Sequence, residues 1–393
     1  MRTEDAANCR PAPGQDVTSP SRVAIQLIST GGFYGAERVL LELATYLRDQ
    51  GWESHVVALE GAGSAPLVER AQGAGLHGEA FVPAGRLALR PMMRRLSQLL
   101  ERFPRAVVHS HGYKPDILLS FARVPRRLAC LATCHNWISE TMKMRALETL
   151  DRRALHAFAH VVAVSDQVAR KLLRSGLPPE RVSRVDNGIA VPQPGPDARA
   201  SVRAEFGIPQ DAWIIAQIGR LVRSKRNDLL LEALATLSNA ADVRVLMAGE
   251  GDRRAALGEL ARARGIGSRV HLCGYRSDVG RILAASDLLA LTSDIEAMPI
   301  VVLEAMALCC PILSTRVGSV PEILTDGHDA WTVPVNDIAA LRHALQEALG
   351  QPQVARQRAA LAQEVFARRY SREAMGAAYV RLYEQLWTGR GWG

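Results

Sequence analysis

Two carboxylates, Glu296 and Glu304, stand with seven residues between them in Ser293-Asp-Ile-Glu-Ala-Met-Pro-Ile-Val-Val-Leu-Glu304. Pro299, between them, suits the first position of a helix, where a missing N–H costs nothing. The amides of Ile300, Val301 and Val302 are then unpaired donors at a positive helix end, which suits a phosphate or a sugar hydroxyl. On this reading Glu296 sits just before the helix and Glu304 about a turn inside it. Two solvated acids at a helix start share this spacing, so spacing alone does not decide. Upstream, Arg220 and Lys225 lie five apart in Ile218-Gly-Arg-Leu-Val-Arg-Ser-Lys-Arg-Asn-Asp-Leu229. Two cations at a strand-to-helix turn can neutralise a diphosphate and stabilise it as it leaves. In the first half, Gly31-Gly32-Phe-Tyr-Gly35-Ala-Glu37 is a turn whose glycines let backbone approach a diphosphate and an acceptor closely. It is not a GxGxxG fingerprint. His109 and His111 fall at a strand end, either as acceptor contacts or as packing.

These residues need elements to hold them. Val23–Ile28, Ser54–Leu59, Ala106–Ser110, Arg127–Thr133 and His160–Val164 are short apolar runs, with helical spacing in Ala36–Asp49, Arg95–Phe103 and Asp166–Ser175. A second series follows: Trp213–Ile218, Val243–Ala248, Val270–Cys273, Leu288–Leu291 and Pro311–Ser314. Short β-branched runs alternating with helices predict parallel, doubly wound sheets, here an α/β chain of two Rossmann-like domains facing across a cleft. Residues 1–20 read as a disordered leader, 21–190 as the first Rossmann-like domain and 191–199, rich in proline, as a linker. Residues 200–368 read as the second Rossmann-like domain. The stretch 369–393 is a helix crossing back, with Ala377, Tyr379, Leu382 and Leu386 as its apolar positions.

The whole composition agrees. A chain of 393 residues is too long for one ordinary core, and 48% hydrophobic with 22% charged residues is globular. The longest uncharged stretch, Val23 to Ala36, is fourteen residues, short of the roughly 20 that a spanning helix needs. Six cysteines include no CxxC pair and no finger spacing, so neither structural zinc nor a disulfide framework is expected. Net charge is +8, which favours an anionic partner. With only 5% aromatic residues, stacking platforms for nucleic acid are poorly supplied, and no nucleic-acid partner is expected. A cytoplasmic protein is expected.

The segment Glu296–Glu304, continued by Glu304-Ala-Met-Ala307 and Gly318-Ser-Val-Pro-Glu322, resembles the Glu-x7-Glu signature of retaining glycosyltransferases of family 4, which have the GT-B fold. The resemblance covers nearly the whole chain after residue 21, and departs at Ala297, where glycine is more usual. It implies that Glu296 faces the donor sugar and Glu304 holds the nucleotide ribose. Arg220 and Lys225 correspond to the pair that grips the donor diphosphate, so no metal and no cofactor is expected. Gly31 and Gly32 resemble the family's glycine loop. Gly274-Tyr275-Arg276 resembles the loop that contacts the base through its backbone, and Thr133-Cys-His135 the segment whose histidine lies beside the donor sugar. Ile300 and Val301 complete the donor contacts. The implied partners are a nucleotide-diphosphate sugar, UDP- or GDP-linked, and a glycan or lipid-linked acceptor of cell-envelope or exopolysaccharide synthesis.

Two other readings use the same fold elements. A GT-B sugar-nucleotide epimerase would share both domains, although the Arg220/Lys225 and Glu296/Glu304 set argues against it. A two-domain nucleotide-dependent oxidoreductase would need the missing glycine fingerprint. Residues 86–105 hold six arginines and one glutamate, interleaved with Met92, Met93, Leu96, Leu99 and Leu100. They are either a surface helix with its leucines in the core or a peripheral contact with the anionic inner face of a membrane.

Overall fold

The computed structural model describes residues 22–30, 32–33, 35–59, 64–81, 89–124, 128–135, 142–237 and 242–390. The leader and Gly31 lie outside them. Seven parallel strands form the first sheet: β1 (Val23–Ser29), β2 (Glu53–Leu59), β3 (His77–Phe81), β4 (Val107–His111), β5 (Ala129–Cys134), β6 (His160–Ala163) and β7 (Val182–Arg184). Their spatial order is β3-β2-β1-β4-β5-β6-β7. The second sheet holds β8 (Trp213–Ile218), β9 (Val243–Ala248), β10 (Val270–Gly274), β11 (Leu288–Leu291), β12 (Ile312–Thr315) and β13 (Trp331–Val333), in the order β10-β9-β8-β11-β12-β13. Each sheet reverses its winding once, between β1 and β4 and between β8 and β11. A crevice opens outside the strand ends at such a reversal.

The central strands β4, β5 and β11 are buried along their whole length, and β11 is apolar throughout, whereas β4 carries the buried polar run His109-Ser110-His111. Three strands have no counterpart in the apolar runs. β3 (HGEAF) alternates exposed and half-buried positions, β7 (VSR) is half-buried throughout, and β13 (WTV) is three residues long. All three lie at sheet edges.

The chain leaves the first domain through Asp186-Asn-Gly-Ile189 and returns through a widened π turn, Phe366–Tyr370. The two crossings are zipped together: Ile189 N–H donates to the Tyr370 carbonyl (3.1 Å) and Arg372 N–H to the Ile189 carbonyl (2.9 Å). A Cβ on Gly188 would collide with the Ser371 carbonyl, so the crossing requires glycine there. The final helix, Arg372–Thr388, packs on the first domain, but its seam differs from the one expected. Met375, Tyr379, Tyr383 and Trp387 are buried with Val39, Leu43 and Trp52, whereas Leu382 and Leu386 are only partly covered. A repeat of four places larger side chains on the inner face, and the tyrosine hydroxyls find buried partners there.

The basic helix Leu89–Arg102 buries Leu96, Leu99 and Leu100 in the first-domain core, with Met92 and Met93 packed beside them. Its apolar face is therefore occupied by the protein itself. Arg94, Arg95 and Arg102 are exposed.

Candidate active site

The two winding reversals bring the loops after β1, β8 and β11 to one cavity of about 1580 Å³ between the domains. That volume exceeds the usual range for a single small-molecule pocket, about 300–1,000 Å³. Arg220, Lys225, Tyr275, Arg276, Glu296, Ile300, Val301 and Glu304 all line it, together with Gly35 and Arg38 of the first domain.

Local bonding explains why the two halves of the charged set meet. Thr292, just past β11, accepts from Gln217 Nε2 (2.9 Å) and donates to the Arg226 carbonyl (2.8 Å). Asp294 N–H donates to the Ser224 carbonyl at 2.8 Å. These bonds stitch the turn after β8 to the loop after β11 and set Lys225 Nζ 2.5 Å from Glu296 Oε1. Ser293 Oγ donates to the same carboxylate oxygen at 2.7 Å. Gly318, in the left-handed region at φ 55°, packs so closely on the Glu296 carbonyl that a Cβ would collide with it. Ser319 N–H holds the Ala297 carbonyl at 3.0 Å, so the Gly318-Ser-Val-Pro-Glu322 segment serves as the floor under Glu296.

Pro299 differs from expectation. Its extended backbone, φ −75° and ψ 107°, makes it the cap rather than the first helical residue, and the helix spans Ile300–Ala307. The Val302 N–H is then closed on the Pro299 carbonyl (3.0 Å), which leaves the amides of Ile300 and Val301 at the open helix end. Glu304, 5% exposed, is paired with Arg38, which belongs to the first-domain helix Gly35–Asp49. Burial raises the Glu304 carboxyl above its ordinary range, and Arg38 opposes that rise. Arg220 is exposed and forms no ion pair among the described residues.

Arg276 lines the cavity but is committed elsewhere. It forks onto Asp278 and Glu205, which Arg281 also holds, and this network keeps Asp278 down at about 2. Tyr275 is 65% exposed, with its N–H on Glu250 Oε1 at 3.3 Å. Gly32 donates its N–H to Thr30 Oγ1 (3.1 Å) and, like His135, is not among the described cavity-lining residues. His135 stands just beyond β5, where burial pushes its imidazole down to about 4. Its Nε2 lies 3.3 Å from His111 Nδ1, and residues 136–141 that follow lie outside the described residues. One group of ligand-type side chains converges among the described residues, Glu53, His55 and His77 on β2 and β3, and it contributes nothing to the cavity wall.

A family model described as glycosyl transferases group 1 matches residues 198–365, and one described as Glycosyltransferase Family 4 matches residues 33–191. Alpha-maltose-1-phosphate synthase of Mycolicibacterium smegmatis is 31% identical over 268 residues, 62% of this chain and 68% of that protein. The chain belongs to the family 4 glycosyltransferases. The lipopolysaccharide core biosynthesis glycosyltransferase LpsE of Rhizobium meliloti is 30% identical over 180 residues. That match takes in 46% of this chain and 52% of LpsE, about half of that relative's length. Among solved structures, Anabaena HepE in complex with UDP is similar with a TM-score of 0.81 at 19% identity, over 92% of this chain and 99% of that one. HepE is also solved with UDP-glucose. This likeness establishes the GT-B fold, and the family match does not favour the epimerase and oxidoreductase readings.

In this family 4 glycosyltransferase the sequence reading missed Arg38 and gave no role to Glu322, which it had only as part of the Gly318–Glu322 segment. Arg38 follows the glycine loop by one helical turn, and a cation so close behind a phosphate-binding type of turn was the available signal. Glu322 caps a helix of the other domain. Its carboxylate accepts from Asp166 N–H (2.9 Å) and Gln167 N–H (3.2 Å) and pairs with Arg184 at 3.2 Å. Nothing in the sequence points to a partner more than 150 residues away.

Proposed function

We propose that this glycosyltransferase moves a sugar from a UDP-sugar, with retention, to a hydroxyl of a glycan or lipid-linked acceptor in cell-envelope synthesis. The observation that carries this reading is the assembly of Arg220, Lys225, Glu296 and Glu304 on one interdomain cavity at both winding reversals. Arg220 and Lys225, with the Ile300 and Val301 amides, hold the diphosphate and stabilise the charge that grows on it as the sugar leaves. Glu296 faces the sugar and Glu304 the ribose. Uridine rather than guanosine is favoured by the UDP and UDP-glucose complexes of HepE, and an envelope acceptor by LpsE.

The carbon–oxygen bond to the diphosphate breaks while the acceptor oxygen bonds the same carbon from the same face. The acceptor proton passes to the departing phosphate oxygen, so neither a metal nor a second carboxylate base is required. His135 assists beside the donor sugar from the end of β5. Peripheral contact with an anionic membrane, if made through Leu89–Arg102, is electrostatic, because Leu96, Leu99 and Leu100 of that helix are already buried. Among the described residues no helix is long and apolar enough to cross a membrane.

A thermal-stability screen of UDP-, GDP- and ADP-sugars tests the donor. A ligand at a hundred times its Kd contributes about 2.7 kcal/mol. Stabilisation by UDP-sugars followed by an α-configured product in the NMR spectrum supports the reading. Stabilisation by another base alone, or an inverted anomer, overturns it.

A further inference from the structure

Beneath the first-domain reversal, seven side chains form one continuous hydrogen-bonded chain. His135 Nε2 meets His111 Nδ1 at 3.3 Å, and His111 Nε2 meets Gln26 Oε1 at 2.8 Å. Gln26 Nε2 donates to the Tyr383 hydroxyl at 2.6 Å, and that hydroxyl meets His109 Nδ1 at 2.8 Å. His109 Nε2 then meets Thr133 Oγ1 (2.7 Å), which meets the Tyr379 hydroxyl (2.7 Å). Every member except His135 is essentially sealed from solvent. His135 keeps part of its surface open, at the strand ends that face the cleft.

With Gln26 Nε2 on the Tyr383 hydroxyl and Gln26 Oε1 on His111, the orientation of this one amide sets the polarity of the chain. Gln26 Oε1 can only accept, so His111 carries its proton on Nε2. Burial holds His111 and His109 well below the ordinary imidazole value, so each ring bears a single proton. His111 Nδ1 is then a lone pair, and His135 must donate to it from Nε2. In the other direction, Tyr383 accepts from Gln26 and donates its own proton to His109 Nδ1. His109 Nε2 consequently donates to Thr133, and Thr133 to Tyr379. All six bonds point the same way, and they leave His135 Nδ1 as the acceptor nitrogen outside the chain.

We propose that Gln26 and Tyr383 are positioning residues that, through His111, fix the tautomer and ring orientation of His135. The helix that crosses back from the second domain thereby sets the chemistry of a first-domain residue. The proposal rests on the reading that His135 works beside the donor sugar. Removing the Tyr383 hydroxyl breaks the chain between Gln26 and His109, so the Gln26 amide loses its coupling to the far half of the chain and can turn over, which changes the nitrogen of His111, and so of His135, that is protonated.

Long-range proton–nitrogen NMR of the imidazoles reads the tautomer directly, and UDP release from UDP-glucose reads turnover. In the wild type His135 is expected to be protonated on Nε2. Tyr383→Phe is expected to give mixed tautomers at His135 and about tenfold lower kcat, with KM for UDP-glucose within about twofold. Gln26→Met is expected to do the same, and it carries the test where Tyr383→Phe does not fold. Tyr379→Phe, at the far end of the chain, is expected to leave the His135 tautomer in place. An unchanged His135 tautomer in both Tyr383→Phe and Gln26→Met overturns the proposal. Unchanged kcat in His135→Gln instead overturns the underlying role of His135.

Discussion

Arg38 and Glu304 form an ion pair across the cleft, one residue from each domain, and the carboxylate is buried. The side chain that the ribose would use already has a cation on it. Lys225 holds Glu296 in the same manner, so both carboxylates of the signature are neutralised by partners that also line the cavity. On the proposed reading, donor binding at this site exchanges one set of charge-assisted bonds for another. The binding free energy is the difference between them.

Arg38→Met should destabilise the protein, because it strands a buried carboxylate. Breaking one partner of a buried pair costs about 3–5 kcal/mol, and the partial exposure of Arg38 places the expected loss at the low end. The Arg38→Met/Glu304→Gln double variant should recover part of it, with a coupling energy of about 0.5–3 kcal/mol. Strict additivity in chemical denaturation would show that the pair carries no energy. Titration with UDP then separates the roles, since Glu304→Gln should weaken UDP binding and Glu296→Gln should lower turnover with UDP affinity kept.

Arg220 and Lys225 should behave differently from each other. Arg220 is exposed, so Arg220→Ala should leave the melting temperature in place and lower kcat/KM by the two to three powers of ten typical of a lost oxyanion donor. Lys225→Ala removes the partner of Glu296 as well, so both stability and turnover should fall. Wild-type kinetics in both variants would remove the diphosphate assignment. EDTA should leave activity intact, and a complete loss restored by a divalent cation would show that the metal-free reading is wrong.

How much of this was legible depended on the range of the interaction. β8, β9 and β11 fall where the apolar runs put them, because strands covered on both faces are rich in apolar residues, with Gln217 and Arg244 the polar positions of β8 and β9. The edge strands β3 and β7 have one side in water and little core to fill, so no run marks them. Glu296, Glu304, Arg220 and Lys225 were legible as types and spacings, and the structure brings them to one cavity. What pairs them was not. Arg38 with Glu304 spans 266 residues, and Gln26 with Tyr383 spans 357. Such contacts come from which strands lie side by side, and local pattern carries no record of that.

His135 sets a pH dependence that a difference measurement can isolate. The unfolded chain protonates this imidazole below about 6.5, whereas the folded chain holds it neutral down to about 4. Between those values the unfolded state binds more protons, so this residue's contribution to stability rises with pH and is lost on acidification. Asp116 and Glu304, both raised by burial, act in the opposite sense, so the total slope is not diagnostic. His135→Gln should therefore flatten the stability–pH curve by up to one proton, about 1.4 kcal/mol per pH unit, between about pH 4 and 6.5. Parallel curves for wild type and variant would contradict a neutral, buried His135.

The exposed arginines of Leu89–Arg102 predict a binding mode that salt abolishes. Arg94, Arg95 and Arg102 face solvent while Leu96, Leu99 and Leu100 are buried in the core, so these three leucines are not available to insert. Each basic residue near an anionic surface contributes about 1 kcal/mol at low ionic strength. Three give binding that co-sedimentation with phosphatidylserine vesicles detects and that fades as the Debye length shrinks to about 3 Å in 1 M salt. Arg94/Arg95→Glu should remain in the supernatant at low salt. Vesicle binding that survives high salt would mean that apolar surface inserts, and a wild type that stays soluble at low salt would favour a soluble acceptor.

Glu322 holds the domains at the hinge side as Arg38 does at the mouth. Its carboxylate satisfies two N–H groups at the start of the helix Asp166–Arg174, where negative charge also meets the positive helix end. Loss of such a cap costs about 0.5–2 kcal/mol. Arg184 keeps Asp166 and Asp186 as partners when Glu322 is removed, so it is not left as an isolated buried charge. Glu322→Ala should consequently lower stability only within that range while letting the second domain swing relative to the first. Glu322→Gln keeps one amide acceptor and should lose less. Small-angle scattering should show a larger radius of gyration for Glu322→Ala than for wild type, with the difference shrinking when UDP draws the cleft together. Identical scattering and melting curves for the three proteins would mean that the zipped crossings at Ile189 and Arg372 set the domain angle without help from this contact.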